Sequence, residues 1–310
     1  MKYIDIKSKP HADFTPITLV IGKFDGIHKG HQELIKAARD YKDGLLSVMS
    51  FSEHPLWVLR DDPEFRHSLT PLKTKLDILQ TLGVKQYFNV HFTKEFANLS
   101  AEEFVNDYLH GLNIRRVVVG EDFHFGKMRS WDTDDLISHY MQRGVAVTVI
   151  PLIKEKGEKI SSTSIRSLVK EGDMETLSNL YGRPYAINGK VIHGEALGRT
   201  LGYPTINLGG DADLYVPPKP GIYLGTAEIL GGDQDAGHYN ALISAGYRPT
   251  VDGQSYSIEA YLLDYSGDLY DRTVSLEFLK YVREEIKFTN LDQLITQMKL
   301  DEVYARDYFG

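Results

Sequence analysis

The sequence predicts an α/β protein with two domains, a parallel sheet covered by helices and then a smaller antiparallel β domain. Between residues 17 and 150, short β-rich runs alternate with segments of helical period. Beyond residue 183 the glycines concentrate, with 15 of the 27 in residues 183–310. The length of 310 residues is enough for two cores. We therefore place the domain boundary between residues 182 and 183, so that the domains span 1–182 and 183–310.

Five runs in the N-terminal half predict strands, because each is short and rich in β-branched or aromatic residues. They cover residues 17–22, 45–51, 86–90, 115–120 and 145–150. Four intervening segments have helical period and predict helices over residues 31–41, 71–82, 101–112 and 132–143. Ser100 followed by Glu103 predicts a capping box at the third helix. This alternation, with continuous apolar strands, is typical of a parallel sheet covered on both faces.

The C-terminal half predicts an antiparallel β domain that ends in a helix. Extended runs cover residues 185–192, 221–230, 239–245, 257–263 and 273–279, with turn residues between them. Residues 290–309 return to helical period. Between the two halves, residues 161–184 predict two short helices that break near Gly172 and stop before Pro184.

The composition is that of a cytoplasmic protein that binds small molecules. A net charge of -8 and a pI near 5.8, without a long block of lysine or arginine, argue against nucleic-acid binding. The absence of cysteine excludes disulfides and thiolate metal sites, and the first residues lack the apolar core of a secretion signal. The longest apolar runs are far shorter than the roughly 20 residues that a membrane-spanning helix needs. We expect no membrane or transport role, and homo-oligomerisation stays open.

The stretch GKFDGIHKGH, residues 22–31, lies where the first predicted strand gives way to the first helix. In an open parallel sheet this turn is the usual place for a phosphate. Gly22, Gly26 and Gly30 permit tight turns and close approach of a ligand, and the start of the helix directs unpaired N–H groups at an anion. His28 and His31 are three residues apart. Their imidazoles can therefore donate hydrogen bonds to phosphate oxygens and stabilise a departing pyrophosphate.

A second stretch, ISSTSIR at residues 160–166, opens a helix after the last strand of the first domain. Hydroxyl groups and a helix cap are offered by Ser161, Ser162 and Thr163. Arg166 can reach β- and γ-phosphates with its planar guanidinium. Taken alone, the two histidines are more often surface residues or a chance metal pair, and the hydroxyl residues a helix cap. Their order and their positions along the predicted sheet favour a nucleoside triphosphate site.

The histidine motif resembles the HxGH signature of nucleotidyltransferases, in which a nucleophile attacks the α-phosphorus and pyrophosphate leaves. Further segments resemble those of the bacterial bifunctional riboflavin kinase/FAD synthetase family, and the likeness continues to the C-terminus. These segments are residues 51–55, 69–84, 92–105 and 117–136. The resemblance implies a Rossmann-like nucleotidyltransferase domain that adenylylates FMN.

The same resemblance implies roles for single residues of the first domain. His28 and His31 would be catalytic and contact the ATP phosphates. ATP and its phosphates would be bound by Gly22, Phe24, Asp25, Gly26, Gly30, Ser162, Thr163 and Arg166. The flavin or adenine pocket would be formed by His54, Pro55, Asp122, Phe123 and Phe125. Core packing is the alternative for the two phenylalanines.

The chain departs from the family pattern at a few positions. Lys23 stands where the family commonly has asparagine, and residues 129–131 lack a glycine that is usual there. Lys23 could add a cation beside the triphosphate or only change its affinity, and we expect adenylyl transfer to survive both changes. In the second domain Asp271 replaces a usual glycine, and residues 244–250 match a family loop loosely.

Residues 189–208, GKVIHGEALGRTLGYPTINL, resemble the riboflavin kinase signature. By that resemblance a glycine-rich loop with Gly189, Gly194, Gly198 and Gly202 would cover the nucleotide phosphates. Thr205 and Asn207 lie two residues apart in an extended segment, so their side chains project to the same side and could bind one Mg²⁺ that bridges the phosphates. The alternative is a strand that starts at Pro204 and carries half-buried polar residues.

A kinase that acts on an alcohol also needs a base near the hydroxyl group. Glu259 lies in the extended run SIEAYLLD and matches the family motif, so it is the candidate to accept the proton of the 5′-hydroxyl. A charged strand residue is otherwise usually a solvated one. The family fold implied for this half is a six-stranded antiparallel barrel with a terminal helix.

Together the motifs predict a bifunctional enzyme that makes FMN from riboflavin and ATP, and FAD from FMN and ATP, with Mg²⁺ in both steps. One alternative is an FAD synthetase whose second domain only binds flavin. The other is a non-catalytic flavin sensor that kept the fold. Retention of Thr205, Asn207 and Glu259 argues against the first, and the lack of a basic recognition helix in the sequence argues against the second.

Overall fold

The structure is a computed structural model that describes residues 1–155, 157–194, 198, 201–231, 237–250 and 253–310. The chain divides into two compact units, an N-terminal unit (Met1–Ser162) and a C-terminal unit (Thr163–Gly310). The first unit is built on a parallel sheet and the second on a closed antiparallel barrel. The predicted fold class is therefore confirmed.

Six strands form the parallel sheet in the described part of the N-terminal unit. They are β1 (Lys2–Ile6), β2 (Asp13–Ile21), β3 (Leu45–Phe51), β4 (Gln86–Val90), β5 (Leu112–Gly120) and β6 (Ala146–Ile150). Their order across the sheet is β1-β4-β3-β2-β5-β6. All five predicted strands are confirmed, and β1 was not predicted. Because β3 and β5 flank β2, the carboxyl end of β2 lies at the point where the strand order reverses, which is where ligands bind in such sheets.

Helices connect these strands. They are α1 (Lys29–Tyr41), α2 (Pro55–Arg60), α3 (Leu72–Thr81), α4 (Lys94–Ala97), α5 (Ala101–Phe104) and α6 (Thr133–Met141). A π-helical turn, Val105–Leu109, continues α5, and 3-10 turns lie at Pro63–Phe65 and Lys127–Arg129. The capping box of Ser100 and Glu103 is confirmed. A small antiparallel ribbon, β7 (Lys154–Glu155) and β8 (Glu158–Lys159), follows β6.

The sheet is buried on both faces, because successive strand residues point to opposite sides. Leu19 and Ile21 of β2 pack in one apolar cluster with residues of the α5 segment and α6. Val20 packs in a second cluster with residues of α1 and α3. The two clusters therefore pack both faces of β2 and β3 next to the turns that follow these strands.

The C-terminal unit begins with two helices, followed by six strands and a terminal helix among the described residues. They are α7 (Ser162–Glu171), α8 (Met174–Tyr181), β9 (Tyr185–Ile192), β10 (Thr205–Gly209), β11 (Gly221–Leu230), β12 (His238–Thr250), β13 (Gly253–Leu262), β14 (Thr273–Arg283) and α9 (Leu291–Phe309). The strands close in the order β10-β13-β12-β11-β14-β9. A 3-10 turn, Gly210–Leu214, follows β10. The six-stranded barrel and its terminal helix are thus confirmed.

The two helices before the barrel end as the sequence predicts. Gly172 has φ +79° and separates α7 from α8, and Gly182 ends α8 in the left-handed conformation. Helix α8 packs against β9 and β14, which explains why it groups with the barrel in the compact unit. The boundary between catalytic domains at residues 182 and 183 stays a prediction.

Candidate active sites

The turn between β2 and α1 has a strained backbone. Phe24, Gly26 and Ile27 have φ values of 50°, 97° and 44°, a region that side chains other than glycine's rarely adopt. Phe24 and Ile27 are also completely buried, so apolar contacts offset the conformational cost. Strain of this kind concentrates at functional sites, where the surrounding structure fixes a backbone that would otherwise relax.

His28 and His31 come together at the start of α1. Their rings stack with centroids 3.8 Å apart and an angle of 20° between planes, and His31 lies 5.1 Å from the ring of Phe24. His28 is the N-cap residue, so both imidazoles lie at the positive end of the helix dipole. A methyl group at Gly30 would lie 3.2 Å from the His28 ring, which explains glycine at that position. The arrangement suits an anion with several oxygens.

Asp25 has a structural role in the same turn. Its carboxylate accepts hydrogen bonds from the backbone N–H groups of Leu69 (2.8 Å) and Thr70 (3.4 Å), just before α3. Its carbonyl oxygen accepts one from the Ser162 hydroxyl at 2.6 Å. A carboxylate repels phosphate, so these contacts favour a positioning role for Asp25 and Ser162 over direct phosphate binding by the Asp25 side chain.

Lys75 of α3 is a residue that the sequence did not single out. Its side chain is buried and donates a hydrogen bond to the Lys23 carbonyl at 3.3 Å. Burial lowers the pKa of Lys75, and the Asp25 carboxylate partly opposes this shift. Within a helix of mixed polarity, a lysine is normally solvated, and only the folded chain reveals that this one lies beneath the turn.

The predicted pocket residues His54 and Pro55 start α2, directly after β3. The His54 ring accepts a hydrogen bond from the Leu56 N–H through Nδ1 and therefore caps the helix, with Pro55 at the first helical position. The ring also stacks on Phe65 at 4.2 Å. Its other nitrogen, Nε2, lies 3.2 Å from Lys23 Nζ. His54 and the turn after β2 thus meet at the same edge of the sheet.

Asp122, Phe123 and Phe125 lie on the loop that follows β5. Asp122 forms an ion pair of 2.5 Å with Lys159. The two phenylalanines are half-buried and stack on each other with centroids 5.3 Å apart, and backbone hydrogen bonds join Phe125 to Trp131. They also pack on the core below. These contacts fit the packing alternative, while the half-buried state leaves aromatic surface that a flat ring could cover.

The other predicted phosphate residues fall into two groups. A methyl group at Gly22 would lie 3.1 Å from the Phe24 ring, so glycine lets that ring fold back under the turn. Thr163 and Arg166 lie in α7 and belong to the C-terminal unit, where Arg166 is almost completely buried. The structure assigns them to a different compact unit from His28 and His31.

In the barrel, a cavity of about 320 Å³ brings the predicted kinase residues together. Thr205, Asn207 and Glu259 all line it. Asn207 on β10 is the direct partner of Glu259 on β13, so the two side chains project from neighbouring positions of the sheet. The barrel register thus brings the two residues predicted to bind Mg²⁺ and the residue predicted to be the base to one cavity, while their roles stay predictions.

The Glu259 carboxylate has two partners at this cavity. The Thr205 hydroxyl donates a hydrogen bond to its Oε2 at 3.3 Å, and Arg248 forms an ion pair with its Oε1. Arg248 was not predicted to be a site residue, although it falls in residues 244–250, which match a family loop loosely. The side chain of Glu259 keeps 15% of its surface exposed, so a substrate hydroxyl can reach it.

The remainder of the cavity wall is largely apolar and includes the terminal helix. Tyr203, Tyr261, Leu242, Ile286, Phe288, Leu294 and Met298 contribute to it. Asp301 of α9 accepts two hydrogen bonds from Arg283 of β14, at 3.0 Å and 2.5 Å, and these bonds hold the helix on the barrel. A mostly apolar cavity with a few convergent polar groups is the usual form of a site for a small aromatic ligand.

The predicted glycines of the kinase loop serve distinct local requirements. A methyl group at Gly194 would lie 2.7 Å from Cγ of Asn207, and one at Gly198 would overlap the Tyr203 carbonyl oxygen. Gly189 lies on β9, where a methyl group would be 3.0 Å from the Gly209 carbonyl oxygen. Gly202 has φ +84°. Residues 195–197 and 199–200 of this loop lie outside the described residues.

The oxygen donors at this cavity fit a magnesium ion. Mg²⁺ prefers oxygen ligands and binds through one or two protein groups plus substrate phosphates. The hydroxyl of Thr205 and the amide oxygen of Asn207 supply such ligands beside a carboxylate. Within the described ranges, no group of three or more histidine, cysteine or acidic side chains could hold a metal alone. Two protein oxygens, from Thr205 and Asn207, fit an ion that takes further ligands from substrate phosphates.

Two protein families match the chain. Residues 11–164 match the family described as FAD synthetase, and residues 181–309 match the family described as riboflavin kinase. The first match contains the stacked histidines and the second contains the barrel cavity. Each candidate site thus lies within one family match, apart from Arg166 of α7, which falls between the two.

Curated relatives match almost the full length. The bifunctional riboflavin kinase/FMN adenylyltransferase of Bacillus subtilis (strain 168) is 36% identical over 298 residues, which cover 94% of this chain and 92% of the relative. The protein of the same name from Escherichia coli (strain K12) is 36% identical over 297 residues, with the same coverage.

A solved structure also matches the full length. A Streptococcus pneumoniae protein, described as a macrolide-efflux protein, superposes with a TM-score of 0.89 at 33% identity and covers 99% of both chains. That description applies to the S. pneumoniae protein. In the present chain, no helix of the described segments combines the length and apolar character that a membrane span requires. With both family matches and full-length relatives of one name, the chain belongs to the bifunctional riboflavin kinase/FMN adenylyltransferase family.

Proposed function

We propose that the two candidate sites catalyse successive steps. The barrel site transfers the γ-phosphoryl group of ATP to riboflavin and forms FMN. The site at the carboxyl ends of β2 and β3 then transfers AMP from a second ATP to FMN and forms FAD. Riboflavin, ATP and FMN are the substrates of the family to which the chain belongs. The assignment of each step to particular residues is our proposal.

In the barrel, Glu259 acts as the general base. It accepts the proton of the riboflavin 5′-hydroxyl while that oxygen attacks the γ-phosphorus, and the bond from the γ-phosphorus to the bridging oxygen breaks to release ADP. Thr205 and Arg248 hold the carboxylate in place from two sides. The largely apolar cavity wall binds the flavin ring and excludes water from the transfer.

Thr205 and Asn207 would hold the Mg²⁺ of the kinase step. When bound, the ion neutralises charge on the nucleotide phosphates and orients them. The glycine at position 194 leaves the Asn207 amide room to reach this position. The same requirement for Mg²⁺ in the adenylyl transfer rests on the family resemblance alone.

In the N-terminal unit, an FMN phosphate oxygen attacks the α-phosphorus of ATP. The bond between the α-phosphorus and the α,β-bridging oxygen breaks, and pyrophosphate leaves. His28 and His31 donate hydrogen bonds to the oxygens of the leaving group, and the positive end of α1 adds to this stabilisation. Gly22, Gly26 and Gly30 let the backbone approach the phosphates. For Thr163 and Arg166, which belong to the other compact unit, a role in phosphate binding rests on the family resemblance alone.

The single observation that carries the kinase assignment is that Thr205, Asn207 and Glu259 line one cavity. Incubation of the purified protein with riboflavin, ATP and Mg²⁺, followed by chromatographic separation of FMN and FAD, tests both steps. We expect FMN to accumulate first and FAD to follow. Formation of FAD only from added FMN would point to an FAD synthetase with a non-catalytic barrel. If neither product forms, the remaining hypothesis is a non-catalytic flavin-binding sensor.

We place the enzyme in the cytoplasm, with small molecules as its partners and no nucleic-acid or membrane partner. The absence of cysteine and the acidic net charge of -8 support this setting. We also keep the catalytic domain boundary at residues 182 and 183, since the family matches end at residue 164 and resume at residue 181.

A further inference from the structure

Lys75 lies in the interior of the N-terminal unit, against the turn that joins β2 to α1. It belongs to the first turn of α3 and keeps only 8% of its surface exposed. Its Nζ donates a hydrogen bond to the Lys23 carbonyl oxygen at 3.3 Å, across 52 residues of sequence. Burial of an ammonium group is costly, because the charge loses its hydration. A lysine at this position therefore needs compensation from the groups around it.

Asp25 supplies the opposite charge from the same turn. Burial lowers the pKa of Lys75, and the Asp25 carboxylate opposes this shift, so the two charges attract each other. Asp25 is itself 7% exposed, and its carboxylate accepts hydrogen bonds from the N–H groups of Leu69 and Thr70, which lead into α3. Lys75 and Asp25 thus connect the same two segments, the turn and the start of α3, with charges of opposite sign.

The two side chains hold the turn on both sides of a strained residue. Lys23 and Asp25 flank Phe24, which has a φ of 50° and is completely buried. Lys75 binds the carbonyl group before Phe24, and the contacts of the Asp25 carboxylate hold the residue after it. A strained conformation persists only where the surrounding structure determines it. Because His28 follows shortly after and caps α1, a shift of this turn would displace the start of α1.

We propose that Lys75 is a positioning residue for adenylyl transfer, which together with Asp25 holds the turn in the conformation that directs His28 and His31 at the leaving pyrophosphate. This inference rests on the proposed assignment of that step to the two histidines. Lys75 acts through the turn, and its charge is required because Asp25 carries the opposite one. Removal of one member of a buried charge pair is far more harmful than removal of both. Loss of both charges should therefore cost less activity than loss of Lys75 alone.

Four variants test this pairing. Lys75→Met removes the charge and keeps most of the side-chain length. Asp25→Asn removes the opposite charge and retains an oxygen that can accept the hydrogen bonds of the Leu69 and Thr70 N–H groups. The double variant has neither charge. Lys73→Met is the matched control, since it makes the same substitution at an exposed position of the same helix.

Initial rates of FAD formation from added FMN, measured below the melting transition, give kcat and KM for FMN and for ATP. We expect Lys75→Met to lower kcat by about 10²-fold, the cost of a displacement of about 1 Å at a reacting centre. Both KM values should stay within about threefold of the wild type, because the histidines act in the transition state. The double variant should recover at least about 10-fold of the lost rate, and Lys73→Met should match the wild type.

Nuclear magnetic resonance supplies a second readout that needs no activity. The imidazole ¹H–¹⁵N resonances of His28 and His31 should shift in Lys75→Met and return toward their wild-type positions in the double variant. Riboflavin phosphorylation in each preparation is the control that shows that the C-terminal unit is intact. If the wild type forms no FAD from FMN, the functional assignment fails, while the resonances still test whether Lys75 holds the histidines.

The pairing is refuted if Lys75→Met keeps the wild-type kcat, if it raises KM alone, or if the double variant is as slow as Lys75→Met. Should Lys75→Met fail to fold, the double variant decides the question. The pairing then requires the double variant to melt cooperatively and to form FAD, and a second unfolded protein would overturn it.

Discussion

Replacement of Gly194 by alanine should impair riboflavin phosphorylation through Asn207. The added methyl group would lie 2.7 Å from Cγ and 2.8 Å from Oδ1 of Asn207, against ordinary contacts of 3.4–4 Å. The Asn207 backbone cannot retreat, because β10 is paired with β9 and with β13 at this residue. The amide must therefore turn aside by about 1 Å, a misplacement that costs roughly 10²-fold in rate, or about 2.7 kcal/mol of transition-state stabilisation.

The assay is the initial rate of FMN formation from riboflavin and ATP at several Mg²⁺ concentrations. FAD formation from added FMN should be unchanged in the same preparation. This activity is the control that shows that the N-terminal unit is intact. Gly194 lies at the surface outside the positive-φ region, so alanine should not unfold the barrel. Gly111→Ala is the matched control, since its methyl group would meet nothing closer than 3.7 Å.

A double-mutant cycle tests whether the effect acts through Asn207. If it does, Gly194→Ala should add little once Asn207→Ala is present, because the displaced group is gone. Fully additive losses would show that the methyl group acts elsewhere. A Gly194→Ala protein with wild-type kinase activity would refute both the steric argument and the assignment of Asn207 as a ligand.

Further predictions concern the catalytic groups, the metal and the domain boundary. His28→Ala or His31→Ala should reduce FAD formation by about 10²- to 10³-fold while FMN formation continues, since each removes a transition-state hydrogen bond; near-normal FAD synthesis in both would contradict the site. Glu259→Gln should abolish FMN formation and spare conversion of added FMN; loss of both activities at unchanged melting temperature would show interdependent sites. Chelation by EDTA should stop both reactions, and added Mg²⁺ should restore them; a chelated enzyme that still makes FMN would exclude the proposed metal site. Separate fragments 1–182 and 183–310 should each melt cooperatively and catalyse their own reaction; folded fragments that recover activity only when mixed would refute independent sites.

The sequence predicted most of the fold because its signals are local. Each of the five predicted strands and the main helices has a period that is readable within its own segment. Strand β1 was missed because its evidence is long-range: it is a short edge strand whose pairing partner, β4, begins 84 residues later, with Lys2 opposite Gln86. The two short helices α2 and α4 span six and four residues, too few for a periodic pattern to emerge.

In the candidate sites, too, local features could be predicted from the sequence and long-range contacts could not. His28 and His31 were singled out because their residue type and spacing suit phosphate chemistry, and Glu259 because it matches the family motif. The sequence could not place Arg248 beside Glu259, because that contact joins neighbouring strands across the barrel. Nor could the sequence show that the Asp25 carboxylate accepts hydrogen bonds from the N–H groups that precede α3. Contacts between distant segments decide which polar groups are available to a ligand, and only the folded chain supplies them.

The closure of the barrel has a consequence for how the chain folds during synthesis. The seam pairs β9 with β14, so that Tyr185 lies opposite Phe278, and these residues are separated by most of the second half of the chain. The parallel sheet, in contrast, is complete once β6 has been made. While the ribosome is still making the later strands, β9 can pair with β10, but its edge that pairs with β14 stays unpaired, a state that invites wrong partners. We expect ribosome-stalled chains that end before β14 to be cut by protease within the barrel sequence while their first 150 residues resist, and uniform resistance or uniform cleavage would exclude this order.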